Sequence, residues 1–466
     1  MTIHKMVLSV LLLLSSSPAF LQAGEAHALN THGFQYDALT IQQDPHIHYE
    51  FQVPPAIEPH VQEQEPEFVD PALQSIRHKA GGNGYPLVLV HGFLGWGRDE
   101  LLGFKYWGGF YDTETDLNNR GYQVHTAAVG PVSSNWDRAC ELYAQILGTR
   151  VDYGAEHARI HGHDRFGKTY HRGLYEDWGR TTNGKRNKIH LLAHSQGGQT
   201  VRVLAHLLKY GDPAQRDGES EPDSIFYGGR ADWVSSAMTL AAPHDGTTLA
   251  TGITTFVPFA KDLIAAIASL AGVLSDALVY DFKLDHWGLR REAGESFSSY
   301  NRRVWNSRVW QPDMRDISAW DLSPDGAREI NQRFETISEV YYFSYGTEAT
   351  YRGIFTGHHY PELLMFLPFQ PMALFMGAYK GTTVTGIRIN SDWYQNDGIV
   401  NTLSMDGPDL GSNATIRGWN GSPQRGVWQH FGVLGNWDHF DVIGTGERNT
   451  RQWFRDIAAF LNSLPD

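Results

Sequence analysis

Apolar and polar positions along this chain alternate between short apolar runs and longer stretches with helical spacing. Residues 86–91 are nearly all apolar, as a strand buried on both faces of a sheet should be. Residues 122–127 read as a second strand, and helical spacing follows around 136–147. The apolar run 189–192 is a third strand. Behind it, apolar residues at helical spacing fill 199–208, ahead of Gly211 and Pro213. Residues 234–240 and 339–343 continue the strands, and 453–461 predicts a closing helix. Strands alternating with helices predict βαβ crossovers, hence an α/β chain with a doubly wound, mostly parallel sheet. No repeat of fixed period interrupts this order.

The first 80 residues follow another pattern. Lys5 precedes the short apolar run 6–14, and small residues follow. This predicts a signal peptide over 1–28, cut after Ala23 or after Ala28, where Ala26-His27-Ala28 fits the cleavage pattern. The alternative is a buried N-terminal helix, which the serine run behind it disfavours. Residues 29–80 are polar and proline-bearing, and predict a loose extension with little structure of its own. The regular pattern therefore predicts one domain over 81–466.

Composition narrows the classes. In 466 residues, 41% hydrophobic, there is ample material for a large core. The net charge of −14 disfavours a nucleic-acid partner. Cys140 is the single cysteine, so no intrachain disulfide forms. Past the leader, no apolar stretch is long enough to span a bilayer. A secreted, extracellular enzyme fits these facts.

The candidate chemistry centres on Ala193-His194-Ser195-Gln196-Gly197-Gly198. A serine with small residues two positions away on each side, after a strand and before a helix, is a nucleophile elbow. Larger side chains would clash in so tight a turn. The alternative is a glycine-rich turn that only packs. A hydrolytic serine needs a base, an orienting acid and oxyanion donors. In the chain order nucleophile, acid, histidine, Asn396-Asp397-Gly398 offers an aspartate and Trp437-Asp438-His439 a histidine. Taken alone, the first is an ordinary turn and the second is one of 22 histidines. The turn at His91-Gly92-Phe93, with the N–H just after the serine, could face a developing negative charge.

Several segments together carry a resemblance. Val90-His91-Gly92-Phe93-Leu94-Gly95-Trp96-Gly97, Gly103-Phe104-Lys105-Tyr106-Trp107-Gly108-Gly109 and Ser133-Ser134-Asn135-Trp136-Asp137-Arg138-Ala139-Cys140-Glu141 are three of them. Ala242-Pro243-His244-Asp245-Gly246-Thr247-Thr248 and Asp281-Phe282-Lys283-Leu284-Asp285 follow in order. From about Tyr85 to the C-terminus the chain resembles the zinc-containing thermoalkalophilic lipases of Geobacillus type, and more distantly the staphylococcal lipases. The resemblance implies an α/β-hydrolase fold with a helical lid and a zinc-bearing insertion. It implies Ser195 as nucleophile, Asp397 as acid and His439 as base, with the N–H groups of Phe93 and Gln196 as oxyanion donors. It implies a structural zinc on Asp137, His157, His163 and Asp316, with Asp313 as the rival fourth ligand. From the residues alone, His157 and His161, four apart on one helix face, would be the more tempting pair, and solvated surface histidines the plainer reading. The implied calcium ligands fall at Leu364, Asp441 and Glu447. There the chain departs from the family: Asp441 replaces a glutamate, and Thr445-Gly446-Glu447-Arg448 replaces an Asp-Pro.

The apolar segment 256–276 reads by composition either as a core helix or as a lid closing over the serine, and the resemblance favours the lid. The function so implied is a secreted, lipid-degrading triacylglycerol lipase. It would cut carboxylic esters at an oil–water interface through an acyl-enzyme. The alternatives are a phospholipase or short-chain carboxylesterase on the same fold, and a non-catalytic lipid-binding protein.

Overall fold

The computed structural model describes residues 66–74, 82–217, 220–251, 253–270, 280–446 and 448–466. The expected leader, most of the 29–80 extension, the end of the 256–276 segment and Glu447 lie outside the described residues.

Seven strands make the central sheet: β1 (Leu87–Val90), β2 (Val124–Ala127), β3 (Ile189–His194), β4 (Val234–Leu240), β5 (Tyr341–Glu348), β6 (Thr415–Gly418) and β7 (Val427–Gly435). Their order across the sheet is β6-β7-β5-β4-β3-β1-β2, and every neighbouring pair is parallel. The five strands expected from apolar runs are all present. β6 and β7 are additional strands that the apolar runs do not predict, because glycine and polar residues break their pattern. β2 and β3 lie on opposite sides of β1, so the strand order reverses between β1 and β3. At such a switch point helices leave opposite faces and a crevice opens at the C-terminal ends of the strands.

The register explains why the inner strands are apolar throughout. Leu89, Leu192, Met238 and Phe343 are successive partners across the sheet. They point into one core layer. Val88, Leu191, Ala237 and Tyr342 form the adjacent row and point into the other. Helices α1 (Asn135–Leu147) and α3 (Gln196–Tyr210) cover the second layer. Between them in sequence lies the short α2 (Ala155–His161). Helix α4 (Ile253–Leu270) and the final α6 (Arg451–Ser463) cover the first layer, and α5 (Pro324–Arg333) precedes β5.

Part of the N-terminal extension has structure. Residues 71–74 form a helical turn with Leu73 fully buried. Asp70 accepts a 2.6 Å hydrogen bond from the Tyr345 hydroxyl of β5. The Phe68 ring meets Trp437 at 4.7 Å and Trp453 at 5.7 Å. A loose extension is therefore not what residues 66–74 are.

Candidate active site and metal cluster

Ser195 sits between the end of β3 and the start of α3 with φ 55° and ψ −133°. A non-glycine residue there is strained, and such strain persists only where the surroundings hold it. Here they do. A Cβ on Gly197 would fall 2.5 Å from the Val90 carbonyl oxygen, and one on Gly198 2.5 Å from the Ala242 methyl. A Cβ on Gly92 would fall 2.5 Å from that of Ser195. The small residues let three backbone segments close around the serine.

Asp397 is fully buried in the tight turn after Asn396. One carboxylate oxygen accepts the N–H groups of Ile399 (3.0 Å) and Val400 (2.8 Å). The other accepts the Thr347 hydroxyl and His439 Nδ1, each at 2.7 Å. The His439 N–H also reaches the Asp397 carbonyl at 3.1 Å. Facing a carboxylate, Nδ1 carries the proton, which leaves Nε2 free to accept one. The structure thus brings Asp397 and His439 together. Among the described residues, no hydrogen bond joins Ser195 Oγ to His439; the residue before the serine, His194, meets the His439 loop instead, its Nε2 lying 3.0 Å from the His439 carbonyl.

Three residues at this site escaped the reading of the sequence. Thr347 supports Asp397 from β5. Arg138, wholly buried on α1, donates to the carbonyls of His91 (2.5 Å) and Gly130 (2.7 Å) and to the Thr200 hydroxyl (2.9 Å). Burial lowers its guanidinium to about 10, still charged near neutrality. Tyr106 touches both Gly92 and His194. Arg138 and Tyr106 lie inside the quoted motif blocks, but nothing in their spacing shows what they touch. The Gln196 side chain is fixed from two sides, by the Ser133 carbonyl at 3.1 Å and the Ser318 hydroxyl at 2.9 Å. Helix α4 packs by its buried Phe256 on Phe93, ring to ring at 5.0 Å.

A second cluster lies on the other side of α1. Ligand atoms of Asp137, His157, His163 and Asp316 all fall within 4.8 Å of one another and could hold a metal ion. Asp137 comes from the first turn of α1 and His157 from α2. Gly162, at φ 73°, ends α2 and turns the chain so that His163 reaches the same point. Asp316 arrives from the segment before α5. His157 Nε2 is 3.3 Å from Asp137 Oδ1 and 3.2 Å from Asp316 Oδ1, and His163 Nε2 is 3.2 Å from Asp316 Oδ2. The edge of a tetrahedron with metal–ligand bonds of about 2.0 Å is roughly 3.3 Å. Asp137 Oδ1, His157 Nε2, His163 Nε2 and Asp316 Oδ2 are buried without a hydrogen-bond partner. These two observations are what a bound cation requires. Burial pulls the His157 imidazole down, but the two carboxylates outweigh it and raise it to about 9. The cluster thus attracts a proton where no other cation is offered.

The rival Asp313 is exposed and takes no part. His161 lies near His157 but outside the ligand group. His286 was not foreseen: its Nε2 contacts the second oxygen of Asp137 at 2.9 Å, where it orients the carboxylate from behind.

The expected calcium ligands fare differently. Leu364 and Asp441 line a cavity of about 310 Å³ together with Glu362, Asn436, Asp438 and Arg448. The Asp441 carboxylate accepts the Asp438 N–H at 3.0 Å, and Arg448 Nε lies 3.9 Å away. Arg448 also donates to the Asn436 carbonyl at 2.7 Å. A guanidinium therefore supplies positive charge beside Asp441.

A family model described as "Lipase-like, C-terminal domain" matches residues 83–466. A lipase of Staphylococcus epidermidis is 36% identical over 412 residues, covering 85% of this chain and 55% of that protein. The chain spans about half the length of the curated relatives it matches. The structure of lipase 1 from Pelosinus fermentans is similar at 49% identity and a TM-score of 0.76, over 82% of this chain and all of that one. That of EstA from Clostridium botulinum is similar at 42% identity and a TM-score of 0.77, over 86% and 92%.

Proposed function

The chain belongs to the lipase-like C-terminal domain family, and from that premise we propose that it is a secreted triacylglycerol lipase working through a Ser-His-Asp triad. The observation that carries this reading is the meeting of the strained Ser195 turn, the Gly92–Phe93 loop and the bonded Asp397–His439 pair at one rim of the sheet. Ser195 Oγ attacks the ester carbonyl carbon, and its proton passes to His439 Nε2. The carbonyl oxygen, now negative, is held by the N–H groups of Phe93 and Gln196. His439 returns the proton to the departing alcohol, leaving an acyl group on Ser195. Water, deprotonated by the same imidazole, releases the fatty acid. Asp397 fixes the imidazole tautomer and offsets its charge.

Helix α4, apolar and seated on Phe93, is the lid of this reading. It favours lipid over soluble esters, because opening it exposes apolar surface that is stabilised only at an interface. The metal of the second cluster is zinc: two neutral imidazoles and two carboxylates suit it, and the four leave no position for a reacting water. Its contribution is to folding. No step runs through calcium. The predicted leader over 1–28 implies export.

Ser195→Ala tests the core of the reading. Hydrolysis of emulsified triglyceride and of p-nitrophenyl esters should vanish with folding intact, and an organophosphonate should label the native protein alone. Normal turnover by the Ser195→Ala protein would remove Ser195 from the mechanism. A chain-length series of esters separates the lipase from a short-chain esterase.

A further inference from the structure

Tyr106 and His194 are buried side by side between the Gly92 loop, the Ser195 turn and the His439 loop. The Tyr106 hydroxyl accepts the Gly92 N–H at 2.9 Å and lies 2.6 Å from His194 Nδ1. His194 Nε2 lies 3.0 Å from the His439 carbonyl, and the two imidazoles are 4.5 Å apart, centre to centre. We propose that Tyr106 and His194 are positioning residues: a one-way chain of hydrogen bonds that holds the oxyanion loop, the nucleophile turn and the base in register.

The direction of each bond follows from proton counting. The His439 carbonyl can only accept, so His194 Nε2 carries a proton. The Tyr106 oxygen already accepts from Gly92, so its single proton points to His194 Nδ1, which must be bare. The opposite tautomer would set a lone pair against a carbonyl oxygen. Burial and the neighbouring His439 hold the His194 imidazole well below its usual range, so the neutral form persists. One arrangement satisfies every group, and a satisfied buried network rigidifies what it joins.

The consequence for chemistry is specific. The Gly92 N–H is spent on Tyr106, so the donor this loop can turn toward Ser195 is the next one, on Phe93. His194 adjoins the nucleophile in sequence and grips the base by its main chain. Asp397 grips the same base by its side chain. The base is thus located at two points, one from each side. Misplacing any of the three parts would weaken the transition state more than substrate binding.

The inference rests on the ester-hydrolase reading above. If the native protein hydrolyses no ester and takes no organophosphonate, that reading fails first. Given an active native enzyme, Tyr106→Phe removes one hydroxyl and keeps the ring. Its kcat on a soluble p-nitrophenyl ester should fall by roughly 10- to 100-fold, with KM within about twofold. Affinity for a boronic acid, which forms a tetrahedral adduct on the serine, should fall in step with kcat/KM. His194→Gln, which retains a donor and an acceptor, should keep more activity than His194→Leu. An unchanged kcat in folded Tyr106→Phe would overturn the proposal. So would equal activity in the two His194 variants. A third measurement needs no variant: nitrogen NMR of histidine-labelled native protein should find His194 neutral with the proton on Nε2. A proton on Nδ1 would also overturn it.

Discussion

At the scale of the residue, the strongest demands fall on buried charges outside the reacting groups. Asp245, in the turn after β4, accepts the N–H groups of Asp409 (3.0 Å) and Leu410 (2.8 Å) and the Asn331 amide (2.8 Å). Burial nevertheless raises its carboxyl from 3.8 to about 7. The folded state therefore binds a proton that the unfolded chain has already lost. This group's contribution is full below the unfolded value of about 4 and is lost as the pH rises through about 7. Asp245→Asn keeps an acceptor and cannot ionise. Its melting temperature should gain on that of the native protein between pH 5 and pH 7.5, and a difference that stays constant over that range would show an aspartate ionised throughout. What the sequence reveals at this scale is uneven. Ser195 is legible because its requirement is local: small neighbours at fixed spacing between a strand and a helix. Asp397 and His439 are not, since Asn-Asp-Gly satisfies any turn and their meeting spans 42 residues. They became expectations only through the resemblance. Thr347 and Arg138 act on partners dozens of positions away, and no pattern of spacing encodes that.

At the scale of the element, the crossing of β1 beneath the start of α3 is a tight joint beside the nucleophile turn. Gly197 approaches the backbone oxygen of Val90, which cannot swing aside as a side chain would. Gly197→Ala should destabilise by ~1–3 kcal/mol, read by denaturant unfolding, and should lower activity as the Ser195 turn shifts. A variant as stable and active as the native protein would mean that the turn adapts. The strands and helices were foreseen where periodicity is strong. β6, at the sheet edge, and β7 beside it were not, because glycine and polar residues interrupt both and neither carries a continuous apolar run. For α4 the periodicity could not separate a core helix from a lid, since both bury an apolar face. Activity that rises sharply from dissolved monomers to emulsion would identify the lid, and a flat response the core helix.

At the scale of the whole molecule, the metal cluster joins α1, α2 and the segment before α5, parts separated by up to 179 positions between Asp137 and Asp316. An ion binding the folded but not the unfolded chain shifts stability by mass action. Elemental analysis should find about one zinc per chain, and chelation or His157→Ala should lower the melting temperature before it lowers activity at moderate temperature. A stable, active, zinc-free protein would leave these residues without that role. The contact of residues 66–74 with the C-terminal region bears on how short the chain can be made. The family match begins at residue 83, yet Phe68 wedges against Trp437, two residues from His439, and Asp70 holds Tyr345. Trimming to the edge of that match would strip both supports. A version starting at residue 83 should melt several degrees lower than one starting at residue 66, so the boundary useful to an engineer lies upstream of the one where the family match begins.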